Sequence, residues 1–245
     1  LTVSETMASQ VYQQTMADED EGFDVPEVAK ILGCWKGLAT RGLKSNIDML
    51  FQANLGNDSQ VIEAEYTSPM HRAVAFSSTI AESQRLAERF QEVVSAYIKK
   101  AGIFDSLRVE AQHVDGTMDS TTRKSKLRWL EENPRESVCH MLTNAKCLSE
   151  GIDVPNLDAV LFMKPRKSQV DIIQAVGRVM RKSPGKRLGY IILPVVVPAG
   201  MSPEAALDDD KAFAVVWQIL QALRSHDERL DARINALKFG SGLSG

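Results

Sequence analysis

Cysteine is scarce in this 245-residue sequence and shows no pattern. Cys34, Cys139 and Cys147 are odd in number and lack CxxC spacing, so neither a disulfide framework nor a zinc site is indicated; reduced, structural thiols are expected. No apolar run approaches the roughly 20 residues a membrane-spanning helix needs. The first residues hold no basic segment followed by an apolar one, as a secretory signal would. The expectation is a soluble, cytoplasmic protein with no membrane partner. A GxxxxGK[ST] phosphate loop, an HExxH pair, a GxSxG elbow and a GxGxxG turn after a strand are also missing. The nearest string to a phosphate loop, Ser183-Pro184-Gly185-Lys186-Arg187, lacks the first glycine at the required spacing and the hydroxyl that would hold Mg²⁺. His71, His113, His140 and His226 have no paired-ligand spacing, so each reads as structural and no metal site is expected. Asp18-Glu19-Asp20-Glu21 has no apolar strand before it and reads as a solvated acidic loop.

What is present suffices for one sizeable α/β core with an appended helical portion, at 44% hydrophobic and 25% charged residues. The net charge of -3 gives no global reason to expect a polyanionic partner, but its distribution is uneven. Residues 164–189 carry eight basic side chains against the single acid Asp171, whereas residues 1–70 carry eleven acidic against four basic. A compact basic segment on a mildly acidic protein points to a localised anion site; a solvated basic face is the plainer alternative.

Along the chain, residues 1–70 read as helix and loop without a core of their own. Val3, Met7 and Val11 recur at helical spacing, and Pro26 opens a short helix expected to stop near Gly33. From residue 72, strand and helix signals alternate. Residues 73–76, 108–114, 137–143, 159–162 and 188–193 read as strands. Thr79-Ile80-Ala81-Glu82 is a capping box opening a helix with Leu86, Phe90, Val93 and Tyr97 on one face. Asp119 or Ser120 caps a second helix, which carries Leu127 and Leu130 and ends before Pro134. Five strands separated by helices or long connections predict a doubly wound, mostly parallel sheet in residues 71–198, with ligands beyond the carboxyl ends of its strands. Helical extensions flank it: residues 1–70 before, and 199–245 after, the latter ending in a Gly/Ser-rich, flexible tail.

Two segments carry candidate chemistry. In a helix from Ser168 to Arg181, Gln174, Gly177, Arg178 and Arg181 fall on one arc, while Ile172, Ile173, Val176, Val179 and Met180 cover the other side. Two guanidiniums one turn apart, beside a glycine that admits close approach, suit a cluster of anionic oxygens such as a triphosphate; solvated surface arginines fit the same periodicity. In residues 142–155 an apolar strand runs into a small-residue loop. Thr143 and Asn144 then present a hydroxyl and an amide at the strand's end, Gly151 permits a tight turn, and Asp153 offers an acceptor for a ribose hydroxyl. A plain loop with a helix cap is the alternative there.

Order and spacing join these segments. Phe76-Ser77-Ser78-Thr79, His113-Val114-Asp115-Gly116 with Arg123, Thr143 to Pro155, and Gln174-Ala175-Val176-Gly177-Arg178-Val179-Met180-Arg181 resemble motifs IV, IVa, V and VI of superfamily 2 helicases and translocases of the DEAD/DEAH type. The resemblance covers about residues 72–194, and within the superfamily it lies toward the translocases of restriction-modification and DNA-defence systems. It implies a C-terminal RecA-like motor lobe. Arg178 and Arg181 would be arginine fingers, Gly151, Asp153, Gln174 and Gly177 would face ATP, and Ser77, Gly116, Thr143 and Asn144 would touch the nucleic-acid backbone. ATP and Mg²⁺ would be held chiefly by an N-terminal RecA-like lobe, and the track would be nucleic acid, in the first instance double-stranded DNA. Without a phosphate loop of its own this lobe should be inactive alone. A non-catalytic nucleic-acid or protein-binding module is the rival reading, and a self-contained phosphate-handling enzyme would need a complete site that these residues lack.

Overall fold

Apolar runs bounded by turn residues become five strands that pair in parallel. The computed structural model describes residues 5–15, 24–40, 69–145, 157–164, 177 and 189–194. In chain order these form α1 (Glu5–Thr15), α2 (Val25–Thr40), β1 (Arg72–Phe76), α3 (Ile80–Ala101), β2 (Arg108–Val114), α4 (Ser120–Glu131), β3 (Val138–Asn144), β4 (Ala159–Phe162) and β5 (Tyr190–Ile192). The strand order is β2-β3-β1-β4-β5, and all four pairings are parallel. The expected strands are thus found, with limits shifted by one or two residues at β1, β3 and β5.

The pleat divides the strand residues between two faces. Ala73, Ala75, Val109, Cys139, Met141, Ala159 and Leu161 enter one core cluster with Leu86, Phe90, Val93, Val94 and Ile98 of α3. The alternate residues serve the face on which α4 lies. There His140 stacks on Trp129 with ring centroids 4.3 Å apart and takes its Nδ1 contact from the Trp129 carbonyl at 2.9 Å. Arg72, buried at the start of β1, sends Nη2 across β3 to the end of α4, donating to Glu131 O and Glu132 O at 3.2 Å and to Asn133 Oδ1 at 2.5 Å. A guanidinium on the last carbonyls of a helix satisfies acceptors that have no partner within the helix and complements its negative end. Helices on both faces make the sheet doubly wound.

Local chemistry sets the helix ends. Thr79 Oγ1 accepts from Glu82 N at 3.1 Å and Glu82 Oε2 accepts from Thr79 N at 3.2 Å, completing the capping box of α3. Gly102 closes that helix in the left-handed conformation, φ 66°, where a side chain would be strained. Asp119 caps α4 by accepting from Thr121 N and Thr122 N at 2.8 and 2.9 Å.

One expectation is corrected. Pro26 does lie in the first turn of α2, but the helix does not stop near Gly33; it continues to Thr40. The buried stripe of Val28, Ile31, Leu32, Trp35 and Leu38 carries on past the glycine, and tertiary packing outweighs a helix-propensity cost of about 1 kcal/mol. The stripe joins the sheet's own core together with Ala8 and Val11 of α1, so the core crosses the boundary drawn at residue 70. Trp35 anchors it: Nε1 donates to Leu107 O at 2.7 Å, and the ring meets Tyr97 edge-on at 5.2 Å. Cys34 and Cys139 are buried, which pushes their thiols above the ordinary range, in keeping with structural, unreactive sulfur. None of the described helices is long and apolar enough to cross a membrane. The helix expected at Ser168–Arg181, except Gly177, and the extension at 199–245 lie outside the described residues.

Removing the anchor tests this account. Trp35→Ala should destabilise the fold by about 3–5 kcal/mol, since it opens a cavity and strands the Leu107 carbonyl. Gly33→Ala should stabilise it by about 0.5–1 kcal/mol, because an added β-carbon there meets nothing within 4 Å. Urea unfolding midpoints at a fixed slope measure both.

Candidate nucleotide and nucleic-acid interface

Parallel pairing in register brings the carboxyl ends of the strands to a single edge. Phe76 lies opposite Asn144 on one side and Phe162 on the other, and Asn144 lies opposite Val114. The chain leaves β1 toward β2 and leaves β4 toward β5, so connections depart in opposite directions between these two neighbours. In an open α/β sheet that is where a binding crevice forms. The edge is tied by Ser77 N donating to Asn144 O at 2.9 Å and Met163 N donating to Phe76 O at 3.1 Å. Phe76 and Phe162 stack beneath it at 5.5 Å. Lys164, just past β4, reaches across to Glu82 at 2.5 Å. Burial pushes the Glu82 carboxyl up; the Lys164 hydrogen bond and charge, with the amides of Thr79 and Ser78, more than reverse this and hold it below its usual range.

A second set of contacts runs from β3 to the turn after β2. Thr143 Oγ1 donates to Ser83 O at 2.7 Å. Ser83 Oγ lies 2.8 Å from His113 Nδ1, and His113 Nε2 lies 2.7 Å from Asp115 Oδ2. Asp115 Oδ1 accepts from Thr117 N at 2.7 Å and from Thr117 Oγ1 at 2.5 Å. An ionised carboxylate only accepts, so Nε2 donates to Asp115, and in that tautomer Nδ1 accepts a hydrogen bond from the Ser83 hydroxyl. A serine, a histidine and an aspartate in this order suggest hydrolysis, but Ser83 is fully buried in α3 and no substrate reaches it. The arrangement is internal bracing. Burial pushes the Asp115 carboxyl up, and the bonds from Thr117 and His113 overcome that and lower it to about 2.

The sequence-derived site residues divide accordingly. Ser77, Thr143 and Asn144 do meet at adjacent strand ends, but all three are buried. For Thr143 the expectation of a hydroxyl open to phosphate is corrected: its hydrogen is committed to Ser83 O inside the fold. Gly116 is exposed, in the turn between β2 and α4, and Gly177 is exposed with helical backbone. Gly151, Asp153, Gln174, Arg178 and Arg181 lie outside the described residues. Among the described residues no group of three or more His, Cys, Asp and Glu side chains is placed to hold a metal ion. Sequence reasoning missed Ser83 and Thr117. Ser83 had a signal: it continues the apolar stripe of Leu86, Phe90 and Val93, where a polar residue needs a partner.

Comparison with known proteins adds to this geometry. A family model described as the helicase conserved C-terminal domain matches residues 58–183. Putative helicase 22 of Sulfolobus islandicus filamentous virus is 35% identical over 78 residues, which are 32% of this chain and 14% of that protein. The ATP-dependent DNA helicase uvsW of Enterobacteria phage T4 is 30% identical over 107 residues, 42% of this chain and 20% of that protein. A solved structure of the ATP-dependent Type ISP restriction-modification enzyme LlaBIII bound to DNA aligns with 97% of this chain at 40% identity and a TM-score of 0.76. This chain spans 14% of that one, so each of these relatives is several times longer than the part it shares.

The lowered Asp115 carboxyl gives a pH signature. Its stabilising contribution is fully present above the ordinary carboxylate value of 3.8 and is lost as pH falls through about 2. Asp115→Asn should therefore lower stability at neutral pH and flatten the acid limb of the stability curve in that window. Chemical denaturation at stepped pH measures this, and an acid limb parallel to wild type would count against the assignment.

Proposed function

Because this chain belongs to the helicase conserved C-terminal domain family, as the C-terminal RecA-like lobe of a superfamily 2 helicase, we propose that it is the second motor lobe of an ATP-dependent DNA translocase of the restriction-modification type. In this reading it completes a split ATP site. The N-terminal lobe of the same protein holds the phosphates and Mg²⁺, and Arg178 and Arg181 enter from this side as arginine fingers on the γ-phosphate. Gly151, Asp153, Gln174 and Gly177 line this lobe's share of the nucleotide. The carboxyl edge of the sheet grips the nucleic-acid backbone, with Gly116 at the surface and Ser77, Thr143 and Asn144 forming the floor beneath. Such contacts read phosphates rather than bases, so binding is sequence-independent and weakens with salt.

The observation that carries the reading is the convergence of three separated motifs on one sheet edge. Ser77, Gly116 and the pair Thr143-Asn144 come from the ends of β1, β2 and β3, the edge where an open parallel sheet takes its ligands. The restriction-modification placement is supported by the 40% identity to LlaBIII, whose structure is bound to DNA. A non-catalytic binding module would use the same edge without needing the two arginines.

The arginines therefore decide the matter. In the longer protein that carries both lobes, Arg178→Ala or Arg181→Ala should lower kcat for ATP hydrolysis by about a thousandfold or more while duplex affinity changes little. Steady-state turnover and duplex titration measure the two quantities. Near-normal turnover in both single variants would remove the motor assignment and leave the binding module.

A further inference from the structure

We infer that Ser83, His113 and Asp115 are positioning residues that hold the exposed turn at Gly116 in place to grip a nucleic-acid phosphate, and that they tie this turn to the end of β3. The inference rests on one part of the proposed function, the contact of Gly116 with the nucleic-acid backbone.

Three observations carry it. First, the chain of contacts is continuous: Thr143 Oγ1 to Ser83 O at 2.7 Å, Ser83 Oγ to His113 Nδ1 at 2.8 Å, His113 Nε2 to Asp115 Oδ2 at 2.7 Å, and Asp115 Oδ1 to Thr117 N at 2.7 Å. It crosses from β3 through the first turns of α3 to β2 and ends on the residue after Gly116. Secondly, its interior members are among the most buried polar groups described, with Ser83 at 0%, Asp115 at 2% and His113 at 9% exposure, whereas Gly116 and Thr117 are exposed. Apolar side chains would fill Ser83 and His113 with less desolvation cost, so the polar chain contributes definition of one geometry rather than gross stability. Thirdly, Asp115 takes both the amide and the hydroxyl of Thr117, which fixes the backbone on the far side of Gly116. A turn held in this way meets a phosphate without the entropy loss of ordering a loop. At its other end the chain holds β3, and the polypeptide that leaves β3 is the one carrying Gly151 and Asp153, assigned above to the nucleotide. The bracing thus links the proposed backbone grip to the strand that feeds the nucleotide loop.

The test uses the full-length protein, random-sequence duplex DNA and ATP. His113→Gln keeps a donor toward Asp115 and breaks the Ser83 link. Thr117→Val, at an exposed position that folding tolerates, removes only the outermost hydroxyl, and Thr117→Ser restores it. His113→Gln and Thr117→Val should each weaken duplex binding about tenfold, the loss of one charge-assisted contact. The slope of log affinity against log salt, set by cationic side chains that neither variant removes, should stay as in wild type, the KM for ATP should stay within about twofold, and Thr117→Ser should bind as wild type. A merely structural role would move the unfolding midpoint without changing duplex affinity. Wild-type affinity in both variants, alongside lost turnover in Arg178→Ala, overturns the positioning role and leaves the motor reading standing. Weakened affinity, alongside near-normal turnover in both Arg178→Ala and Arg181→Ala, upholds the positioning role and removes the motor reading.

Discussion

A parallel sheet covered on both faces sends successive side chains to opposite sides, and in this chain that alternation decides what each strand residue touches. Along β3, Cys139, Met141 and Thr143 face α3, while His140 faces α4. Along β1, Ala73 and Ala75 enter the core that α1 and α2 complete, and Arg72 reaches the other way to close α4. A one-residue slip in register would exchange these sets, burying Arg72 among apolar side chains and pointing Met141 at the end of α4. The register is therefore specified by chemistry on both faces at once.

Burial on two faces raises the cost of any polar group in the sheet, and the carboxyl edge concentrates several. Four of them find partners elsewhere in the fold or in their own cap. Thr143 is answered by a carbonyl of α3, His113 by a serine and an aspartate, Asp115 by Thr117, and Glu82 by its own cap and by Lys164. Glu82 serves two purposes: it ends α3 correctly and bridges to the segment after β4, across the place where the connections reverse direction. The apolar floor of Phe76 and Phe162 and the polar rim above it leave an edge that is rigid below and hydrophilic at the surface.

Such an edge suits one half of a machine. The shared segment forms a minor part of each relative's length, and the proposed chemistry needs groups that these residues do not contain. In the proposed function this lobe presents charges at a fixed distance from its own strand ends, which would make its stability and its geometry one requirement. The helices α1 and α2, packed beneath the sheet through Trp35 and Cys34, contribute to that rigidity from a part of the chain that carries no motif.

Short-range patterns made much of this legible in advance. Apolar runs marked β1, β3 and β4 because each is wholly buried, and Thr79 with Glu82 and Asp119 marked the helix starts because caps are satisfied by residues two or three positions away. The resemblance in motif order identified the family and which strand ends to inspect. What local pattern could not decide was whatever depended on residues distant in the chain. Gly33 looked like a helix stop because a glycine weakens a helix, yet the continuing apolar stripe found a core supplied by β1, β3 and β4. Thr143 looked like an open phosphate ligand because its position at a strand end was readable, whereas its partner, a carbonyl 60 residues earlier, was not. The Ser83–His113–Asp115 bracing is the clearest case of this kind. His113 and Asp115 are near neighbours in the chain and Ser83 stood out only as a polar break in an apolar stripe; the packing of α3 on β2 is what brought the Ser83 hydroxyl within hydrogen-bonding distance of His113.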